Sequence, residues 1–191
     1  MLAVTIYSCL ENSALPRPER LLHCAHLEAV QRGLSTADLH LAQTTKGKPF
    51  FAALPNLHFS ISHSGAWWLV AFAAAELGLD LQVHGQHDYQ RLAKRYYHPL
   101  EQDYTTKYGH TAFYNIWSAK EALAKQSGQG LSTASLSSFT VVSDSKQLKQ
   151  QLAGQYLQHL PFQPGYSLCL CTNQPSQIDF RTLPNQIDNP A

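Results

Sequence analysis

The chain opens on an alternating run, Leu2 to Leu10, rich in β-branched and aromatic residues, which predicts a strand. Pro16 and Pro18 break that run. Apolar positions then recur at helical spacing from about Glu19 to Arg32, and Gly33 gives the helix its stop. After a short segment around Thr36 to Ala42, Gly47-Lys48-Pro49 forms a turn. Phe59 to Ser64 then leads into the apolar run WWLVAFAAA, a buried strand, and this first half closes near Glu76. Leu77 to Val83 starts a new strand, and a helix is predicted from Tyr89 to Tyr97. Pro99 opens another short one, and the strongest helix runs from Ala112 to Lys125. Gly128 and Gly130 end it. Ser138 to Val142 and Tyr166 to Cys171 read as strands, followed by a Pro-, Asn- and Gln-rich tail, expected to be loosely held from about Asn173. The pattern predicts an α+β protein in two halves, 1–76 and 77–191.

At 191 residues the chain is long enough to bury a substantial core without disulfide or metal support. With 14 basic and 13 acidic side chains it has almost no net field to gather nucleic acid or anionic lipid. Cys9, Cys24, Cys169 and Cys171 form no CxxC pair and read as reduced core thiols. No segment approaches the roughly 20 apolar residues needed to cross a bilayer, and the opening has no positive leader. The expectation is a soluble cytoplasmic protein with neither nucleic acid nor membrane as partner.

Three constellations carry candidate chemistry. In Gly78-Leu79-Asp80-Leu81-Gln82 a strand puts Asp80 and Gln82 on one face and the two leucines on the other. Such a pair suits a metal site or an ordinary solvated face. In the segment from Trp117 to Lys125, Glu121 and Lys125 stand one helical turn apart, as a surface ion pair or as part of a site. In Phe59-Ser60-Ile61-Ser62-His63-Ser64 adjacent residues face opposite sides, so the serines and His63 cannot act as nucleophile and base. With no GxSxG elbow either, a hydrolase is disfavoured. That segment can instead present an imidazole and hydroxyls to an anion, with Lys48 as a point charge, or be a simple turn before a strand. His84, His87 and His98 lack a clean spacing for a transition metal.

In this order, Gly47-Lys48-Pro49, Phe59 to Ser64, Gly78 to Gln82 and Trp117 to Lys125 resemble the motifs of the surfactin-type 4'-phosphopantetheinyl transferases. The likeness continues through Ala93 to Tyr97, Phe113-Tyr114, Gly130-Leu131-Ser132 and Ser138 to Thr140, and it runs nearly unbroken from about Lys46 to Thr140. It implies a pseudo-twofold pair of α+β halves with the active site in the cleft between them. The implied activity is transfer of phosphopantetheine from coenzyme A to a serine of an apo acyl or peptidyl carrier protein. By the same resemblance, Asp80, Gln82 and Glu121 stand at the magnesium positions, and Glu121 and Lys125 at the catalytic ones. Lys48, Ser62, His63 and Lys125 stand among the coenzyme A contacts. Lys120 matches a motif lysine without an assigned role and is counted with the cofactor-binding set.

Three departures qualify the resemblance. Gln82 replaces the usual glutamate, removing one negative charge while keeping an oxygen, and is expected as a neutral or water-mediated ligand. Ser60 replaces the motif asparagine. The N-terminal half is short, leaving Arg17, Arg20 and Lys46 as candidates for the coenzyme's 3'-phosphate. A coenzyme A or carrier-protein binding module without efficient catalysis is the competing expectation. A cleft formed within one chain permits a monomer.

Overall fold

The computed structural model describes residues 1–130 and 136–183. Strands β1 (Leu2–Leu10), β4 (His58–Ser64), β5 (Trp67–Ala73) and β10 (Ser176–Thr182) form one sheet in the order β10-β1-β5-β4. A second sheet, β6-β9-β8-β7, is built from β6 (Leu77–Val83), β7 (Gln151–Leu152), β8 (Gln155–Leu160) and β9 (Tyr166–Thr172). A short hairpin pairs β2 (Leu41–Gln43) with β3 (Pro49–Phe51). Three helices complete the described residues: α1 (Arg17–Gln31), α2 (Tyr89–Tyr96) and α3 (Pro99–Ser127). None is long and apolar enough to cross a membrane.

Strand periodicity sorts the apolar side chains into three clusters. Val70 and Phe72 of β5 pack with Leu21, Cys24 and Ala25 of α1, whereas Leu69, Ala71 and Ala73 point the other way. There they meet Leu79 and Leu81 of β6 and Leu168 and Leu170 of β9, so the inner faces of the two sheets share one core. Cys169 and Cys171, on the outer face of β9, pack with Ile116, Ala119 and Ala122 of α3. The run of β5 is continuously apolar from Trp68 to Ala73 because both faces of the strand are buried there. All four cysteines are free and buried, as the sequence led us to expect.

The sheets are also joined edge to edge, by side chains. The hydroxyls of Ser60, Ser62 and Ser64, which share one face of β4, accept hydrogen bonds from the backbone N–H groups of Leu79, Leu81 and Val83 at 2.9, 3.0 and 2.9 Å. β4 and β6 therefore run parallel with a serine seam in place of a backbone ladder. On its other edge β6 pairs antiparallel with β9. Gly78 lets α3 settle onto this strand: a Cβ there would stand 1.9 Å from the carbonyl oxygen of Ala122.

Several boundaries differ from the expectation. The predicted helices from Pro99 and Ala112 form one element, bent at Gly109, whose φ of 76° and ψ of −155° interrupt the helical geometry. Ser138 to Val142 forms no strand; Val142 makes an isolated bridge to Leu148, and the N–H of Val141 donates to Glu101. The tail is corrected most. Ser176–Thr182 is a strand that pairs in parallel with Leu2 to Ser8, and Leu183 is buried in the α1 core. Although it lies late in the chain, β10 completes the sheet begun by β1. Leu131 and Ser132 of the motif region lie outside the described residues.

Two substitutions test this packing. Gly78→Ala forces strand and helix apart and is expected to cost about 3 kcal/mol, at the upper end for an overpacked core, read as a lower denaturation midpoint. Ser60→Ala strips a buried N–H of its partner and should cost about 1–3 kcal/mol. Unchanged midpoints in both variants would remove the packing argument.

Candidate active site

The seam delivers Asp80 to the base of α3. Its carboxylate is buried and has a donor on each oxygen: Lys125 Nζ at 2.7 Å and the Ser62 hydroxyl at 3.2 Å on Oδ1, and the Gln82 amide at 2.8 Å on Oδ2. The Lys125 ammonium also donates to Leu79 O, Ser62 Oγ and Ile61 O at 3.0, 3.1 and 3.2 Å. This ring of oxygens comes from both strands of the seam. Glu121, one turn before Lys125, makes no hydrogen bond or ion pair among the described residues and lines a cavity of about 340 Å³. Lys46, Lys48, Pro49, Phe59 and Lys125 also line it.

Both carboxyls are pushed toward the protonated form. Burial raises Asp80 against the lowering by Lys125, Gln82 and Ser62. Burial raises Glu121 too, with the Asp80 charge adding to it and Lys125 opposing. Glu121 on the helix thus feels the charge of Asp80 on the strand, a pairing the sequence held open.

The remaining candidates separate into two groups. Arg17, at the start of α1, reaches His63 on β4, with Nη1 3.1 Å from the imidazole Nε2, and its Nε donates to Glu11 at 2.6 Å. Lys48 stands at the cavity, but its ammonium is held by Glu76 and by the carbonyl oxygen of Gln126. Arg20 and Lys120, by contrast, are buried among protein groups. Arg20 is buried and donates to the carbonyls of Leu15, Glu11 and Ser13. Lys120 is 0% exposed; it pairs with Glu101 at 2.9 Å and donates to Leu136 O and Phe139 O. Both were expected at the cofactor; here each is held by protein acceptors, Arg20 by three carbonyls and Lys120 by a carboxylate and two carbonyls.

Gln82 lies beside Asp80 on the same face of β6. Its amide N–H serves Asp80, so its first task is to orient that carboxylate. Glu101 and Glu76 were not singled out from sequence. Glu101 had a signal, because His98-Pro99-Leu100-Glu101 is a capping box, with Glu101 accepting from the His98 N–H at 3.1 Å. Nothing local marks Glu76. Among the described residues no set of three or more His, Cys, Asp or Glu side chains is gathered as for a metal ion.

One carboxylate, Glu121, and three lysines, Lys46, Lys48 and Lys125, thus line a cavity between a sheet edge and a helix, an arrangement suited to a phosphorylated ligand. Residues 76–172 match the 4'-phosphopantetheinyl transferase superfamily. The chain is 32% identical over 158 residues to the 4'-phosphopantetheinyl transferase Sfp of Bacillus subtilis (strain 168), a match covering 76% of this chain and 68% of that protein. It is 39% identical over 119 residues to a 4'-phosphopantetheinyl transferase of Bacillus subtilis, 57% of this chain and 50% of that one. The 4'-phosphopantetheinyl transferase psf-1 of Bacillus pumilus is 33% identical over 142 residues, 70% of this chain and 60% of its own length. The chain belongs to the 4'-phosphopantetheinyl transferase superfamily, and the surfactin-type resemblance read from its four motifs is borne out. The matches span between half and about two thirds of these relatives' lengths.

The buried pair on α3 gives a test of its own. Lys120→Met leaves the buried Glu101 carboxylate without its counter-ion, and a loss of about 3–5 kcal/mol in folding free energy is expected. Chemical denaturation measures it, and a near-normal midpoint would remove the anchoring role of Lys120.

Proposed function

We propose that the chain transfers the 4'-phosphopantetheine group of coenzyme A to a serine of an apo acyl or peptidyl carrier protein, releasing 3',5'-ADP, with the cavity beside α3 as the coenzyme site. The observation that carries this reading is that Lys125, bonded to the buried Asp80 at 2.7 Å, lines the cavity together with Glu121, one helical turn away, whose carboxyl is raised by burial and by the Asp80 charge. A carboxylate whose charge is disfavoured by burial and by a neighbouring carboxylate is stabilised by a cation. The donor set suits magnesium, which takes one or two carboxylates and completes its shell with water and phosphate oxygens. Asp80 and Glu121 would hold the ion, with the Gln82 oxygen as a neutral neighbour, and the ion would supply charge stabilisation at the phosphoryl group.

The protein's own groups account for the rest. Lys125 brings its ammonium to the charged end of the cavity, where it can stabilise negative charge on the departing nucleotide. Glu121 has no partner among the described residues and is free to accept the proton of the carrier serine. Ser62 holds Lys125 and Asp80 together. Arg17, whose Nη1 donates to His63 Nε2, brings a guanidinium with further N–H donors to β4, suited to a phosphate monoester such as the coenzyme's 3'-phosphate.

The cavity is lined within one chain, so a monomer suffices. Two sheets, each with a helix on its outer face, fit a pair of related halves divided near residue 76, with β10 returning to the first. Four buried free thiols fit a reducing compartment, and we place the protein in the cytoplasm.

Incubation with labelled coenzyme A and an apo carrier protein tests the proposal. Label is expected on the carrier in the presence of magnesium, and Glu121→Ala is expected to lower the rate by at least about a hundredfold, the lower range for a lost general base. Coenzyme A binding without transfer would favour a binding module instead, since Gln82 and Lys125 already occupy the Asp80 oxygens.

A further inference from the structure

One wall of the cavity is the turn between β2 and β3, and the side chain crossing it is Lys48. Its Nζ donates to one carboxylate oxygen of Glu76 and, at 3.0 Å, to the carbonyl oxygen of Gln126. That carbonyl lies in the last turn of α3, where helix carbonyls lack intrahelical partners and the dipole favours a cation. The other Glu76 oxygen faces His58 Nδ1 at 3.2 Å. The Lys48 stem runs over Gly128, where an added Cβ would stand 3.3 Å from Lys48 Cδ. Glu76 immediately precedes β6, and His58 opens β4. A single carboxylate thus connects the turn, the ends of both seam strands and the end of the catalytic helix.

The division of exposure shows what this contact does. The Lys48 side chain is only 17% exposed, whereas Glu76 is 50% exposed. The lysine is laid down along the wall, and its charge is balanced by Glu76 and the helix end. Toward the cavity it therefore contributes its methylene stem, beside Pro49, Phe59 and Ala124, while Lys125 and Glu121 supply the charge.

We infer that Glu76 is a positioning residue: it holds Lys48 across the end of α3, fixes the Lys46–Pro49 turn as a wall of the cavity, and through that wall sets the affinity for coenzyme A. The inference rests on the reading of the cavity as the coenzyme site. Glu76 touches no reacting atom. It acts through Lys48, whose role shifts from free phosphate clamp to held wall.

Glu76→Gln, Lys48→Met and the double variant test this with two readouts. Hydrogen exchange at the amides of Thr44, Gly47 and Lys48, which are bonded within the turn, reads the wall in the unliganded protein. Glu76→Gln is expected to speed that exchange about threefold to fivefold, the scale of one partly exposed ion pair. Unchanged exchange overturns the inference whether or not the chain is a transferase. In coenzyme A titrations and transfer kinetics, Glu76→Gln should raise Kd and KM by a similar factor with kcat little changed, and the double variant should be no worse than Lys48→Met alone. A lower KM in Glu76→Gln would instead make Glu76 a competitor for the Lys48 charge, and additive losses would make the two residues independent; either result overturns the inference. A wild-type chain that binds no coenzyme A overturns the reading of the cavity, while exchange still decides whether Glu76 holds the turn.

Discussion

Three serine hydroxyls, accepting three backbone N–H groups across the gap between β4 and β6, fix the geometry on which the site depends. Sheet edges present unpaired donors, and a buried donor without a partner is costly. Here the edge of β6 is satisfied by side chains, which keeps β4 at side-chain distance. The carbonyls of Ile61 and Leu79 and the hydroxyl of Ser62 can then close around one ammonium. A backbone ladder would bring the strands closer and leave those oxygens no common point. This also gives a physical meaning to serine at position 60, because an alternating row of short hydroxyls makes the seam uniform.

The two lysines of the Trp117 to Lys125 segment show how helix geometry divides the work. Five residues apart, they point about 140° apart around the axis. Lys120 is directed inward, where it binds Glu101 and the carbonyls of Leu136 and Phe139 and so fastens the chain after α3 to the helix that carries the site. Lys125 is directed to the seam. Glu121 lies one turn from Lys125 on the same side, and the Asp80 charge reaches it there. One motif thus contains both an anchor and a working cation, distinguished only by which side of α3 meets the sheet.

Much of this was legible in the residues. The alternation from Leu77 to Val83 placed Asp80 and Gln82 opposite the two leucines, and the structure keeps that division, with Leu79 and Leu81 in the inter-sheet core and Asp80 under α3. The spacing of Glu121 and Lys125 placed them together. Contacts that depend on distant partners were not legible. Arg20 and Lys120 read as available cations because a sequence shows charge but not the carbonyls that enclose it. Ser176–Thr182 read as a loose tail because its template, β1, lies more than 170 residues away. Its own residues, SQIDFRT, alternate too weakly to announce a strand without that edge.

The sequence alone determined the types of chemistry present and their local phase: which side chains share a strand face, which share a helix turn, and which motifs stand in which order. Periodicity is a short-range property, so it survives in one dimension. Tertiary structure decided which charges are free and which are held. It buried Lys120 against Glu101, turned Gln82 toward Asp80, laid Lys48 against Glu76 and brought Arg17 to His63. Each of those outcomes depends on how far apart two groups lie in space and how much water separates them, and both quantities exist only once the chain has packed.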